Sequence, residues 1–334
     1  MALLVGALIG DRHQSSSRKS HLDEEIKMDS FLHGSIRKLT ATLGRGVALS
    51  FGLAIACATS ASEPSTVEIR FDAVVGPKPF ACGQTYSNIG TTHSEITPTD
   101  LRFFVSGVSL QRADGTTVPV NLDQDQLWQY RDITLLDFED GTGPCRNGTP
   151  ATNRSIRGSV PAGEYHGLTF TLGVPFDLNH GDATIAPSPL NLTAMFWIWN
   201  AGYKFLKLDM STSGLPDKRL DAPAGKSERG RPVGFPVHIG SSGCTPGTKT
   251  QPPAACKAPN RVTVSLPSFD PRTDRVVMDV AALLQDANVD ANTPNTAPGC
   301  MSEPNDPDCK AVFEAIGLGS KAQQFFTVGK EPRR

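Results

Sequence analysis

The chain has 334 residues, with 32 Lys/Arg against 34 Asp/Glu and seven His, a formal net charge of −2. That balance gives no support to nucleic-acid binding, which needs a cationic footprint. With 31 Gly and 26 Pro, the composition suits a turn-rich globular protein.

The first element in chain order is an export signal. Arg37, Lys38 and Arg45 precede an apolar run at residues 46–56 that is too short to span a bilayer, and small residues follow it at 56–62. Residues 1–62 are therefore read as an N-terminal extension plus a cleaved signal peptide. Met28 is the plausible initiator, because the polar stretch at 11–27 does not belong ahead of a basic signal region. Cys57 as a lipidated cysteine is the less favoured reading, since Ala54 fits a lipoprotein signal poorly. Removing residues 1–61 takes seven Lys/Arg and five Asp/Glu, leaving 25 against 29. No later run is apolar and long enough for a transmembrane helix, so the mature chain is expected in the periplasm or outside the cell.

Residues 63–334 are expected to form one domain. Period-two alternation dominates it: Val67, Ile69, Phe71 and Ala73 alternate with Glu68, Arg70 and Asp72, and Leu168, Phe170, Leu172 and Val174 with Thr169, Thr171 and Gly173. Further strands are expected at 101–110, 118–122, 133–138, 203–210, 261–266 and 275–279. Helix is scarce, with short candidates at 280–285 and 310–316, the second ended by Gly317. Many short strands with turn signals between them predict an all-β fold, an antiparallel β-sandwich with long loops. Two polar segments, 211–231 and 244–260, read as surface loops.

Six cysteines remain after processing: Cys82, Cys145, Cys244, Cys256, Cys300 and Cys309. An even number in an exported protein points to three disulfides, and six cysteines allow fifteen pairings. Sequence does not choose between them, although proximity favours Cys244 with Cys256 and Cys300 with Cys309, leaving Cys82 with Cys145. A thiolate metal site is the competing reading.

Residues 195–205, Met-Phe-Trp-Ile-Trp-Asn-Ala-Gly-Tyr-Lys-Phe, hold two of the three tryptophans one residue apart. In an extended strand Met195, Trp197 and Trp199 share one face, as an oxidisable surface or as ordinary core. Four histidines survive processing. His180 follows Asn179 in a turn and His238 precedes a glycine-rich turn, so both are expected at the rim of the sandwich, where loops position functional groups. His166 alternates in phase with Leu168 and Phe170, which suggests packing, and His93 lies in a Thr-rich loop. Imidazole suits copper, and two neutral imidazoles with a soft or neutral third donor favour the cuprous ion. Residues 286–292 resemble the start of a calcium loop, but Ala291 and Ala297 stand where glycine and glutamate are needed. No hydrolase nucleophile spacing is present.

An ordered series of blocks carries a resemblance. It runs through Asp100-Leu101-Arg102-Phe103-Phe104-Val105-Ser106, Leu135-Leu136-Asp137-Phe138, Leu172-Gly173-Val174-Pro175-Phe176-Asp177-Leu178-Asn179-His180 and Pro189-Leu190-Asn191. It continues through Trp197-Ile198-Trp199, Gly202-Tyr203-Lys204-Phe205, His238-Ile239-Gly240-Ser241-Ser242-Gly243-Cys244 and Pro298-Gly299-Cys300-Met301-Ser302. This series resembles the MbnP-like family, the four-Cys member of the metallo-mystery pair, whose hallmark is a W-x-W motif. The family name implies four cysteines where this chain has six, so at least one bridge belongs to its own branch.

The resemblance implies an exported, non-enzymatic protein that binds copper, as Cu(I), for acquisition, storage or delivery. It implies ligation by histidines together with a kynurenine made from a W-x-W tryptophan by a dihaem c-type partner resembling MauG and the cytochrome c peroxidases. Carried over, Trp197 becomes the kynurenine, with Trp199 as the alternative, and His180 and His238 supply the imidazoles. His93 is a weaker ligand candidate. The competing functions are a mononuclear copper redox enzyme and a structural or adhesive sandwich without metal.

Overall fold

In the computed structural model the described residues are 63–146, 148–197, 202–215, 234–245 and 253–330. All belong to one compact unit, Thr59–Arg334. The export signal, Met28 and Cys57 lie outside the described residues.

Alternating apolar and polar residues produce strands that stack as two sheets. The smaller sheet is built on β1 (Pro64–Val75), whose Ile69, Phe71 and Ala73 point inward. The larger is built on β2 (Ser94–Gln111), eighteen residues long. Around it run β3 (Ile133–Asp137) and β5 (Gly167–Leu172), while β4 (Ser155–Pro161) pairs with β1. Next come the short pair β6 (Phe196–Trp197) and β7 (Gly202–Tyr203), then β8 (Leu206–Thr212) and β9 (Val237–Ile239). A second short pair, β10 (Ser242–Cys244) and β11 (Cys256–Ala258), precedes β12 (Val262–Leu266), β13 (Asp274–Asp279) and β14 (Phe326–Lys330).

The smaller sheet runs β14-β13-β1-β4 and the larger β9-β8-β2-β5-β12, with further short strands at their margins. Pairing is antiparallel, as expected, except that β1 and β13 run parallel. Inward residues of both sheets, including Phe71, Phe103, Phe170, Leu208, Ile239, Val276 and Phe326, make the main core.

Helix is limited to short pieces. α1 (Phe176–Asn179) is one turn, α2 (Val280–Leu284) is capped by the Asp279 side chain, and α3 (Pro307–Ile316) starts on Asp306 and ends at Gly317 with φ +86°. The disulfides are Cys82–Cys145, Cys244–Cys256 and Cys300–Cys309, the pairing that proximity favoured. These six cysteines are therefore engaged, and among the described residues no thiolate is left for a metal.

A third layer distinguishes this body from a bare sandwich. Residues between β5 and β8 fold over the outer face of the larger sheet and make a second apolar cluster of Phe104, Leu135, Val174, Leu190, Met195, Tyr203 and Phe205. The charged side chains beside that cluster are buried with it.

Candidate metal centre

Across four strands of the larger sheet, Asp137 on β3, Arg102 on β2, Lys207 on β8 and His238 on β9 stand in register on the outer face. Asp100 and Asp209 pair beside them. Arg102 and Asp100 are fully buried and Lys207 and His238 nearly so. Buried charge persists only when paired, and here it is paired in alternating sign. Arg102 Nε donates to Asp100 Oδ1 at 2.8 Å, and Lys207 Nζ reaches both Asp100 and, at 2.7 Å, Asp209. His238 Nε2 ends the chain 2.6 Å from Asp209 Oδ1.

The titration of these groups follows from burial and partners. Burial alone would raise the Asp209 carboxyl, but His238 and Lys207 outweigh it and hold it well below its ordinary value. For Asp137, burial outweighs the pull of Arg102 and pushes the carboxyl up to about 7. Burial raises Glu139 as well.

Trp197, carried by β6, packs its ring on Gly240, two residues beyond His238 and just past the end of β9. Gly240 leaves room for its ring: a Cβ there would stand 2.5 Å from indole Cζ3 and 2.5 Å from the Tyr203 carbonyl oxygen. The indole is 6% exposed, so it is packed under cover but reaches the surface at an edge. Lys204 Nζ sits 5.8 Å from the indole centroid and donates to the Ala194 carbonyl at 2.9 Å. Burial, with Lys207 nearby, lowers this ammonium to about 8.

His180 arrives from the other side, directly after the buried Asn179 at the end of α1. Asn179 Oδ1 accepts from the Tyr203 N–H at 2.8 Å, and its Nδ2 lies 3.4 Å from Ser241 Oγ and 3.3 Å from His180 Nε2. The half-buried His180 ring is 3.5 Å from Cys256 Sγ through Nε2 and meets the Phe176 ring edge-on at 4.5 Å. His180 is thus linked through Asn179 to Ser241, next to the Gly240 on which the Trp197 ring rests, and His238 lies two residues before that glycine. Among the described residues, the groups of three or more His, Cys, Asp or Glu donors are His180 with Cys244 and Cys256, and Glu139 with Cys82 and Cys145. Both contain a disulfide rather than thiolates, so imidazole is the remaining donor suited to a soft ion.

Several expectations need correction. His238 is not in a rim loop but inside β9, buried, because the third layer covers this face. Met195 and Trp197 do not share one extended strand, since residues 193–195 form a 3₁₀ turn and only Phe196–Trp197 is extended. Trp199 lies outside the described residues. His93 is exposed, with Nδ1 2.7 Å from Asn88 Oδ1. It precedes Ser94, and at about 3.3 Å per residue β2 carries it roughly 26 Å from the level of Arg102, away from the other imidazoles. His166 is exposed rather than packed, because β5 begins one residue later at Gly167. Sequence reasoning missed Asp209 and Lys207. The signal was present as polar residues alternating with Leu206, Leu208 and Met210, a pattern that also describes a solvated face.

Among known proteins, the MbnP family profile matches residues 64–302. None of the curated proteins matches. A solved structure, MbnP from Methylosinus trichosporium, superimposes with a TM-score of 0.67 at 32% identity, covering 81% of this chain and 100% of that one.

Proposed function

Since the chain belongs to the MbnP family, we propose that it is an exported, non-enzymatic copper-binding protein serving acquisition, storage or delivery. His180 and His238 hold the ion as Cu(I), together with a kynurenine derived from Trp197, with Trp199 the alternative. Copper supplies the soft acceptor that imidazole nitrogen and a neutral third donor satisfy. The observation that carries this reading is the seat of Trp197 on Gly240, between the His238 strand and the Asn179–His180 turn. An unmodified indole offers no lone pair to a metal, whereas kynurenine offers an aniline nitrogen and a ketone.

A dihaem peroxidase-like partner is the proposed oxidant carrier. Two equivalents of peroxide cleave the indole C2–C3 bond, place an oxygen on each carbon and leave as water. Hydrolysis of the resulting N-formyl group releases C2 as formate. Among the described residues no helix is long and apolar enough to cross a membrane, and placement in the periplasm or outside the cell follows from the sequence signal.

Intact mass of protein co-expressed with its partner tests the reading. The expected change is one carbon lost against one oxygen gained, mapped to Trp197 or Trp199, with copper retained by the wild type and lost from His180→Ala and His238→Ala. Unmodified tryptophans and no bound copper in the co-expressed protein would overturn it.

A further inference from the structure

The ring of His238 is held at one nitrogen. Its Nε2 is 2.6 Å from Asp209 Oδ1, and among the described residues that is the ring's side-chain hydrogen bond, so Nδ1 is the nitrogen turned to an outside ligand. An ionised carboxylate only accepts, so the Nε2 that meets Asp209 carries a proton.

Asp209 is held in turn by a chain of charges. Asp209 faces Lys207 at 2.7 Å, Lys207 also reaches Asp100, and Asp100 is bound by the fully buried Arg102. Arg102, Asp100, Lys207 and Asp209 sum to zero without any charge on the imidazole. Lys204 adds a cation on the same side, near the Trp197 ring. His238 thus donates Nε2–H to a carboxylate that Lys207 holds in place from the other side.

We infer that Asp209 is a positioning residue: braced by the Lys207–Asp100–Arg102 chain, it fixes His238 as the Nε2–H tautomer and presents Nδ1 as the metal-ligating nitrogen. The inference rests on the copper reading above and adds which atom binds and what holds it. A carboxylate behind a ligating imidazole orients the ring and raises its basicity, and losing such a partner weakens metal affinity about 10–100-fold.

The test uses the mature protein with ¹⁵N-labelled imidazoles. Long-range ¹H–¹⁵N correlation of the metal-free wild type at pH 8 should show His238 neutral, protonated at Nε2 and bare at Nδ1. Titration with Cu(I) should then shift Nδ1 while the Nε2 proton persists. Asp209→Ala should lose the single tautomer and bind Cu(I) about 10–100-fold more weakly, and Asp209→Glu should recover part of both. A doubly protonated ring, an Nδ1–H tautomer, or a Cu(I) titration that removes the Nε2 proton would overturn the inference even if copper binds. Because the tautomer is read without metal and on the wild type, a poorly folding variant does not decide the matter. A wild type with the expected tautomer that takes up no Cu(I) would instead overturn the copper reading, and the ligation role with it.

Discussion

Replacing Gly240 by alanine is the most direct perturbation of the Trp197 seat. The new methyl would stand 2.5 Å from indole Cζ3 and 2.5 Å from the Tyr203 carbonyl oxygen. Non-bonded carbons settle at about 3.5–4.0 Å, so something must retreat by about 1 Å. The carbonyl has little freedom: Tyr203 pairs with Phe196 across the short β6–β7 ladder, and its N–H is held by Asn179. The indole ring is therefore the group that gives. Overpacking of this kind costs about 1–3 kcal/mol, and contact on two sides places Gly240→Ala at about 2–3 kcal/mol. Urea unfolding should show a lower midpoint with an unchanged slope. In a cycle with Trp197→Ala, the ring contact disappears from the double variant, so the two costs should fall short of additivity by about 1 kcal/mol. Copper capacity should drop with the displaced ring. A cost under about 0.5 kcal/mol, or full additivity with Trp197→Ala, would refute the seating of the indole on Gly240.

Asp137 predicts a pH dependence of stability. Its folded value near 7 lies above its ordinary 3.8, so the folded state keeps a proton that the unfolded chain releases, and stability declines as pH rises from about 4 to about 7. The decline is at most about 4 kcal/mol. Asp137→Asn keeps the acceptor used by the Glu139 N–H at 2.9 Å and should flatten it; an unchanged slope in urea melts across that range would assign it elsewhere. Cys244→Ser with Cys256→Ser opens a bridge of sequence separation 12 and should cost about 3 kcal/mol, with weaker copper retention because the bridge packs on His180. Equal copper retention in folded protein would separate the bridge from the site. Ser302→Ala removes a buried hydroxyl that accepts from the Gly240 N–H at 2.7 Å and donates to the His238 carbonyl at 2.8 Å, and should lower stability by about 1–3 kcal/mol by thermal melt. No loss would mean that this tie does not hold β9.

Where one face is buried and the other wet, the sequence is legible. The alternation at 67–73, 168–172 and 262–266 maps directly onto β1, β5 and β12. It fails where a third layer arrives, because alternation reports that two faces differ and not that one is wet. Lys207 and Asp209 alternate with apolar residues as a solvated row would, yet they lie under the cover formed between β5 and β8 with a polar partner on each side. The same cover explains why His238 was expected in a loop. Motif resemblance located the residues of Pro298–Ser302 without giving a physical role. The structure supplies one: at Gly299, φ +58°, a Cβ would stand 2.2 Å from the Pro236 carbonyl oxygen, so glycine is what lets the chain pass there, and Ser302 ties Gly240 to His238. His180 was legible as a turn residue, but its contact with a disulfide 76 positions away was not.

β9 is the last strand of the larger sheet on its side, and such a strand normally offers a row of unpaired amides to any passing chain. Here that row is occupied: the His238 amide donates to the Cys300 carbonyl at 2.8 Å and the Cys300 amide to the Pro236 carbonyl at 2.9 Å, with Cys300 anchored to α3 through Cys309. Strand addition, a common route by which one protein grips another, is closed at this margin. A macromolecule that engages the covered face carrying Trp197 and His238 therefore cannot do so by adding a strand along β9.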